Sequence, residues 1–183
     1  MKKTIAIISL ILILVGVNWS IANKENHLKN GTIAYLKLRP VDPRSLMQGD
    51  YMALRFELAD KIIKALPKDL ENKNRWNRNN VAATDGQVVV RLDNQDVASF
   101  KSLYEKDTPL LNDEIKMQYR VRNGHVKFAT NAFFFQESTA KVYEKAKYGQ
   151  FRVNKNGGLL LAAMFDEKLN KLEANEKSVV KEQ

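Results

Sequence analysis

Two carboxylates, Asp42 and Asp50, flank Arg44 and Ser45 in the run Pro40-Val41-Asp42-Pro43-Arg44-Ser45-Leu46-Met47-Gln48-Gly49-Asp50-Tyr51. A carboxylate pair is what acid–base cleavage of a glycosidic bond requires. The same groups can accept hydrogen bonds from turn amides, with Arg44 bridging either one. In a turn, the structural role is the commoner one. The chain has two histidines, His27 and His125, far apart in sequence and without a local metal or triad motif. It has no cysteine, which excludes disulfides, thiolate catalysis and zinc–thiolate sites. Asp85-Gly86 and Gly157-Gly158 read as turns and not as phosphate loops, because no Gly-Lys-Ser/Thr follows. The sequence therefore calls for no catalytic set, no metal and no cofactor.

The net charge is +9 over 183 residues. Its densest basic stretch is residues 61–78, where Lys61, Lys64, Lys68, Lys73, Arg75 and Arg78 face Asp69 and Glu71. Such a stretch suits acidic lipid or a cell-wall polyanion, and equally a solvated mixed-charge surface. The charges are interrupted and carry no aromatic stacking platform, so nucleic acid is not an expected partner.

The elements that position the 40–51 segment read mainly as strands. Pro40 and Pro43 stiffen its backbone, and Gly49 can supply a positive φ before a strand. From Tyr51 to Leu58, Met52, Leu54, Phe56 and Leu58 point one way, and Tyr51, Arg55 and Glu57 the other. Ile115, Met117, Tyr119 and Val121 alternate with polar residues up to Asn123-Gly124, a type I′ hairpin signal. That turn predicts pairs Val121–Val126 and Tyr119–Phe128. Further strands are predicted over 33–38 after a turn at Asn30-Gly31, over 87–92 after Asp85-Gly86, and over 97–104. Residues 151–153 and 159–165 flank Asn156-Gly157-Gly158, and the second run, apolar on both faces, reads as a central strand. Leu58, Ile62, Ala65 and Leu66 have helical spacing before the stop at Pro67, and Ser138 could cap a second short helix carrying Ala140, Val142, Tyr143 and Ala146. The expected fold is mainly β (α+β): a single antiparallel domain, barrel-like, with one or two short helices.

Ahead of this domain, residues 4–23 are uncharged, with a dense apolar core over 5–17 and Lys2-Lys3 in front. Twenty helical residues span a hydrocarbon layer of ~30 Å. The leading lysines predict a cytoplasmic N-terminus and an exported remainder. Ser20 and Ala22 are spaced as a cleavage site. A retained anchor is the favoured reading, with release into the envelope if the chain is cut after Ala22. The expected organisation is an anchor over 1–23, a β domain over 24–165 and a charged tail over 166–183, frayed or disordered.

The segment Pro-Val-Asp-Pro-Arg-Ser-Leu-x-x-Gly-Asp-Tyr-Met-x-Leu resembles the GDYXXLXY family, whose signature begins at Gly49. The likeness extends to Asn18-Trp19, Lys24-Glu25, Gly31, Phe133-Phe134-Phe135-Gln136-Glu137, Tyr143-Glu144 and the stretch from Gly157 to Leu161. The final tyrosine of the signature is Phe56 here, on the apolar face, which points to the ring as the part that is used. The resemblance implies a bacterial, membrane-anchored protein of unassigned activity, encoded near multi-span membrane proteins, and supplies no catalytic residues. Pro43-x-x-Leu46-x-x-Gly49-Asp50 is also similar to a run of signal-peptidase-like serine proteases. Their nucleophile would fall at Pro40, which has no hydroxyl, so that mechanism fails at its first step.

The expected function is a non-enzymatic accessory of an integral membrane protein, single-pass in the cytoplasmic membrane with its domain facing the periplasm. The candidate recognition loop comprises Pro40, Asp42, Pro43, Arg44, Gln48, Gly49, Asp50 and Tyr51. Two alternatives stand beside it: a hydrolase using Asp42 and Asp50, and a lipid- or polymer-binding module using residues 61–78.

Overall fold

A computed structural model describes residues 2–39, 47–48, 51–67, 82–137 and 139–174. The apolar N-terminal run forms a helix, α1 (Lys2–Asn30), whose large side chains are exposed from Ile5 to Ile21. It is long and apolar enough to cross a membrane. The helix does not stop where the apolar residues do. It continues to Asn30, so the turn expected at Asn30-Gly31 is instead the helix end, and Gly31 alone separates it from β1 (Thr32–Lys37).

The strands then follow as β2 (Met47–Gln48), β3 (Tyr51–Ala53), β4 (Thr84–Leu92), β5 (Ala98–Leu103), β6 (Glu114–Arg122), β7 (His125–Lys127), β8 (Ala132–Phe134), β9 (Tyr148–Val153) and β10 (Leu159–Phe165). They form three antiparallel sheets, ordered β1-β9-β10, β2-β3-β8 and β5-β4-β6-β7. Single bridges, Tyr35 to Val97 and Leu38 to Phe56, join β1 to the other two sheets. The Gln118 amide donates to the Gly157 carbonyl at 2.8 Å, which fastens the β9–β10 turn to the edge of β6. The result is a curled half-barrel with its apolar face inward, as the alternating pattern predicts.

The β6–β7 hairpin forms in the predicted register, with Val121 opposite Val126. Asn123 and Gly124 have φ of 53° and 73°, the positive pair that a type I′ turn needs. The ladder ends at Lys127, so Tyr119 and Phe128 are both buried without being a ladder pair. Strand β3 is shorter than the alternation suggests. It ends at Ala53, and α2 (Glu57–Ala65) begins after Phe56, taking Leu58 and Ile62 into the core. Glu57 and Asp60 in its first turn suit the helix dipole and pair with Lys37 (3.1 Å) and Arg39 (3.5 Å).

Three further expectations change. Asp85-Gly86 is not a turn but part of β4, where Gly86 lies opposite Tyr119. A Cβ on Gly86 would come 2.6 Å from the Tyr119 hydroxyl, so the glycine makes room for a ring that covers it. Burial of that ring pushes its phenol above the usual tyrosine range. Strand β10 is an edge, with β9 at the centre of its sheet. A bulge at Ala162 shifts its faces, and the chain beyond it returns along the edge through Leu172 N donating to Met164 O at 2.9 Å. Residues 166–174 are therefore an ordered turn, built around Asp166, which accepts from the amides of Lys168 (2.9 Å) and Asn170 (2.8 Å). The second helix, α3 (Ala140–Tyr143), is a single turn, and the predicted cap Ser138 lies outside the described residues.

One buried charge is well provided for. The Glu114 side chain is 1% exposed and receives Lys101 Nζ at 2.5 Å, Arg91 Nη2 at 3.4 Å and the Leu111 amide at 3.3 Å. The Lys101 hydrogen bond is the main reason its carboxyl titrates below the usual range. A carboxyl with a depressed folded value stabilises the fold above the ordinary carboxylate range and loses that effect as pH falls through the folded value. Glu114→Gln is expected to lower stability at pH 7 and to flatten the acid limb of the stability profile. Urea unfolding of both chains from pH 7 down to pH 3 checks this.

Candidate functional site

The short strand β3 lies between two others. Gln48 pairs with Tyr51 and Met47 with Met52 on one side, and Phe134 pairs with Tyr51 and Phe133 with Met52 on the other. The segment carrying Tyr51 is thus placed beside the Phe133-Phe134-Phe135 run, whose strand β8 the alternating pattern does not predict. Leu54 N donates to Asn131 O at 2.7 Å and extends this pairing past Ala53.

The side chains divide by face. Met52, Leu54 and Phe56 are buried. Phe56 packs edge-on against Phe128 and Phe151, with ring centroids 5.7 Å and 5.4 Å away. Phe133 and Phe135 lean on Tyr143 of α3, at 5.0 Å and 5.3 Å. On the outer face Tyr51 is half-buried, and its ring lies 5.7 Å from that of Phe134. Phe134 is 73% exposed. It is the most exposed large apolar side chain among the described residues, α1 included.

Of the predicted loop, Gln48 lies in β2 and Tyr51 in β3. Pro40, Asp42, Pro43, Arg44, Gly49 and Asp50 lie outside the described residues, as does Ser45. Of the basic stretch, Lys61 and Lys64 are exposed on α2, and the remainder lies outside the described residues. His27 Nε2 donates to the Arg152 carbonyl of β9 at 2.9 Å and serves to seat α1. His125 is exposed at the β6–β7 turn. It shares a cleft of ≈ 270 Å³ with Arg39, Arg55, Asp60 and Lys127, over a floor of Leu54, Phe56 and Ile63. Among the described residues, no group of three or more histidines and carboxylates is placed to hold a metal ion.

The strand order and the burial of Leu54 and Phe56 give the signature segment a structural role on one face and an open surface on the other. A family model spans this arrangement, from within α1 to near the end of β10. The chain belongs to the GDYXXLXY protein family. The match covers residues 13–164. Comparison with curated proteins gives no match, and neither does comparison with solved structures. In GDYXXLXY terms, Tyr51 and Leu54 are signature positions, and Phe56 occupies the last one. The ring does the packing there, as its position on the apolar face predicts.

The missed element, Phe134, had one sequence signal. Three consecutive phenylalanines cannot all face inward from a strand, so one of them must turn out. The two faces should separate cleanly on mutation. Phe56→Ala is expected to cost about 3–5 kcal/mol, from lost burial and the cavity left behind. Phe134→Ala is expected to change stability by no more than about 0.5 kcal/mol. Thermal and urea unfolding of both variants reads the difference.

Proposed function

We propose that this GDYXXLXY protein is a membrane-tethered, non-enzymatic binding domain that docks an integral membrane protein through the outer face of β3 and β8. The observation that carries this reading is Phe134, 73% exposed beside Tyr51. An exposed phenylalanine braced by a half-buried tyrosine on a sheet costs little conformational entropy to bury, and large aromatics dominate binding energy where they fill a partner's pocket. The predicted loop residues Pro40, Asp42, Pro43, Arg44, Gln48, Gly49 and Asp50 precede Tyr51 in the chain, and we keep them as candidates for the same recognition role.

The nature of the partner follows from the anchor. We take α1 as a retained span, with Lys2 and Lys3 on the cytoplasmic side and the domain outside, in the periplasm of a bacterial cell. A tethered domain meets other membrane proteins at a raised effective concentration, so a modest patch suffices. Intact mass from membranes should correspond to the full chain, whereas removal of residues 1–22 would show cleavage and release.

Photo-crosslinking in intact cells tests the docking face. A crosslinker at position 134 or 51 should trap the same membrane protein, and one at Ser102, exposed on β5, should not. Phe134→Ala should reduce the yield from position 51 about tenfold or more, the scale of an aromatic hot spot. Equal trapping at all three positions would show only proximity in the membrane and would remove the basis for this reading.

A further inference from the structure

α1 meets the domain at Lys24, the first charged residue after the apolar run. Lys24 lines a hollow of ≈ 310 Å³ together with Arg120 of β6, Lys127 of β7 and the amide-bearing Gln118 and Asn154. Among the described residues, no acidic side chain lines it. Arg120 and Lys127 stand directly opposite each other across the β6–β7 ladder, and both are exposed. Like charges at directly opposed positions destabilise a strand pair. The next residue in that row, Asp85 of β4, is opposite Arg120. Its Oδ1 already receives Arg122 Nη2 at 2.7 Å. Among the described residues, Asp85 is thus the one carboxylate in the row with Arg120 and Lys127, and it is already paired with Arg122, so an anion in the hollow would relieve the excess.

The position of the hollow identifies the anion. Residues 4–23 at 1.5 Å per residue match a hydrocarbon core of ~30 Å. The headgroup layer adds roughly 5–8 Å on each side. Lys24 is the next residue along the helix, so a hollow that contains its side chain opens at headgroup level. We propose that this hollow seats the anionic headgroup of a phospholipid from the bilayer that holds α1, with the phosphate held by Lys24, Arg120 and Lys127. The proposal rests on α1 being a retained membrane span. It is independent of the Tyr51–Phe134 face. The bound lipid would hold the foot of the domain against the membrane.

The chain has no cysteine, so a fluorophore on Ala129→Cys, exposed in the same hollow, reports from one place. The full-length labelled chain is reconstituted in phosphatidylcholine vesicles with increasing phosphatidylglycerol. Emission should change saturably with phosphatidylglycerol. Arg120→Gln with Lys127→Gln should raise the half-point by about fivefold per charge removed, and Arg120→Lys with Lys127→Arg should restore it. Lys127→Gln alone serves if the double variant unfolds. An unchanged half-point in a folded variant overturns the proposal. So does an equal response to inorganic phosphate in vesicles without phosphatidylglycerol, which would assign the hollow to free phosphate. A chain that floats with vesicles yet gives no response overturns the lipid site and leaves the anchor intact. A chain that does not float overturns both.

Discussion

The ring of Phe56 is where the three sheets meet. Its backbone bridges to Leu38 beyond β1, and its side chain packs on Phe151 of β9 and on Phe128, just past β7. Each sheet alone would leave its apolar face in water. Together they bury Leu36, Val88, Val90, Met117, Val121 and Phe151 completely or nearly so. Phe56 is also the last residue before α2, so its burial fixes the point at which extended chain becomes helix. Removing the ring would loosen every boundary at once, which is why a short signature segment can matter to the whole fold.

That constraint also explains how the segment can serve recognition. A side chain that binds a partner must be held still without being buried itself. Met52, Leu54 and Phe56 anchor β3 from below, and Phe133 and Phe135 anchor β8 through Tyr143. Tyr51 and Phe134 are then carried side by side on the opposite face by the paired strands. The period-two geometry of a strand does this directly, since neighbours in sequence lie on opposite faces.

Local rules made much of the fold legible, and the failures have physical reasons. Asn123-Gly124 worked because turn chemistry and apolar register agreed there. Asp85-Gly86 is a similar turn signal but sits within a strand, because a buried tyrosine on the next strand needs the space that glycine leaves. Strand β10 looked central because it is apolar throughout. Its apolar character serves a bulge and an edge covered by the chain's own return at Leu172. The site was half legible. Proline, glycine and charge marked out residues 40–51, but Phe134 is distant in sequence and has no polar signature. Only strand order brings it to Tyr51, and strand order is a long-range property that local periodicity does not carry.

The junction between α1 and the domain has its own consequence. A flexible linker would let the domain sample many heights and rotations above the membrane. Here the helix runs to Asn30, and a strand begins at Thr32. Gly31 is packed so closely that a Cβ would lie 2.6 Å from the His27 carbonyl, and Arg152 Nη1 reaches the Gly31 carbonyl at 3.3 Å. With His27 Nε2 also 2.9 Å from the Arg152 carbonyl, the last turn of α1 is held to β9 from two sides. The direction in which the domain stands is therefore set by the helix axis. With α1 retained in a membrane, as proposed, any surface on the domain, whether aromatic pair or basic hollow, would be presented at a fixed height. A fixed height favours partners that are themselves bound to the same membrane, because neither side then has orientation left to lose on meeting.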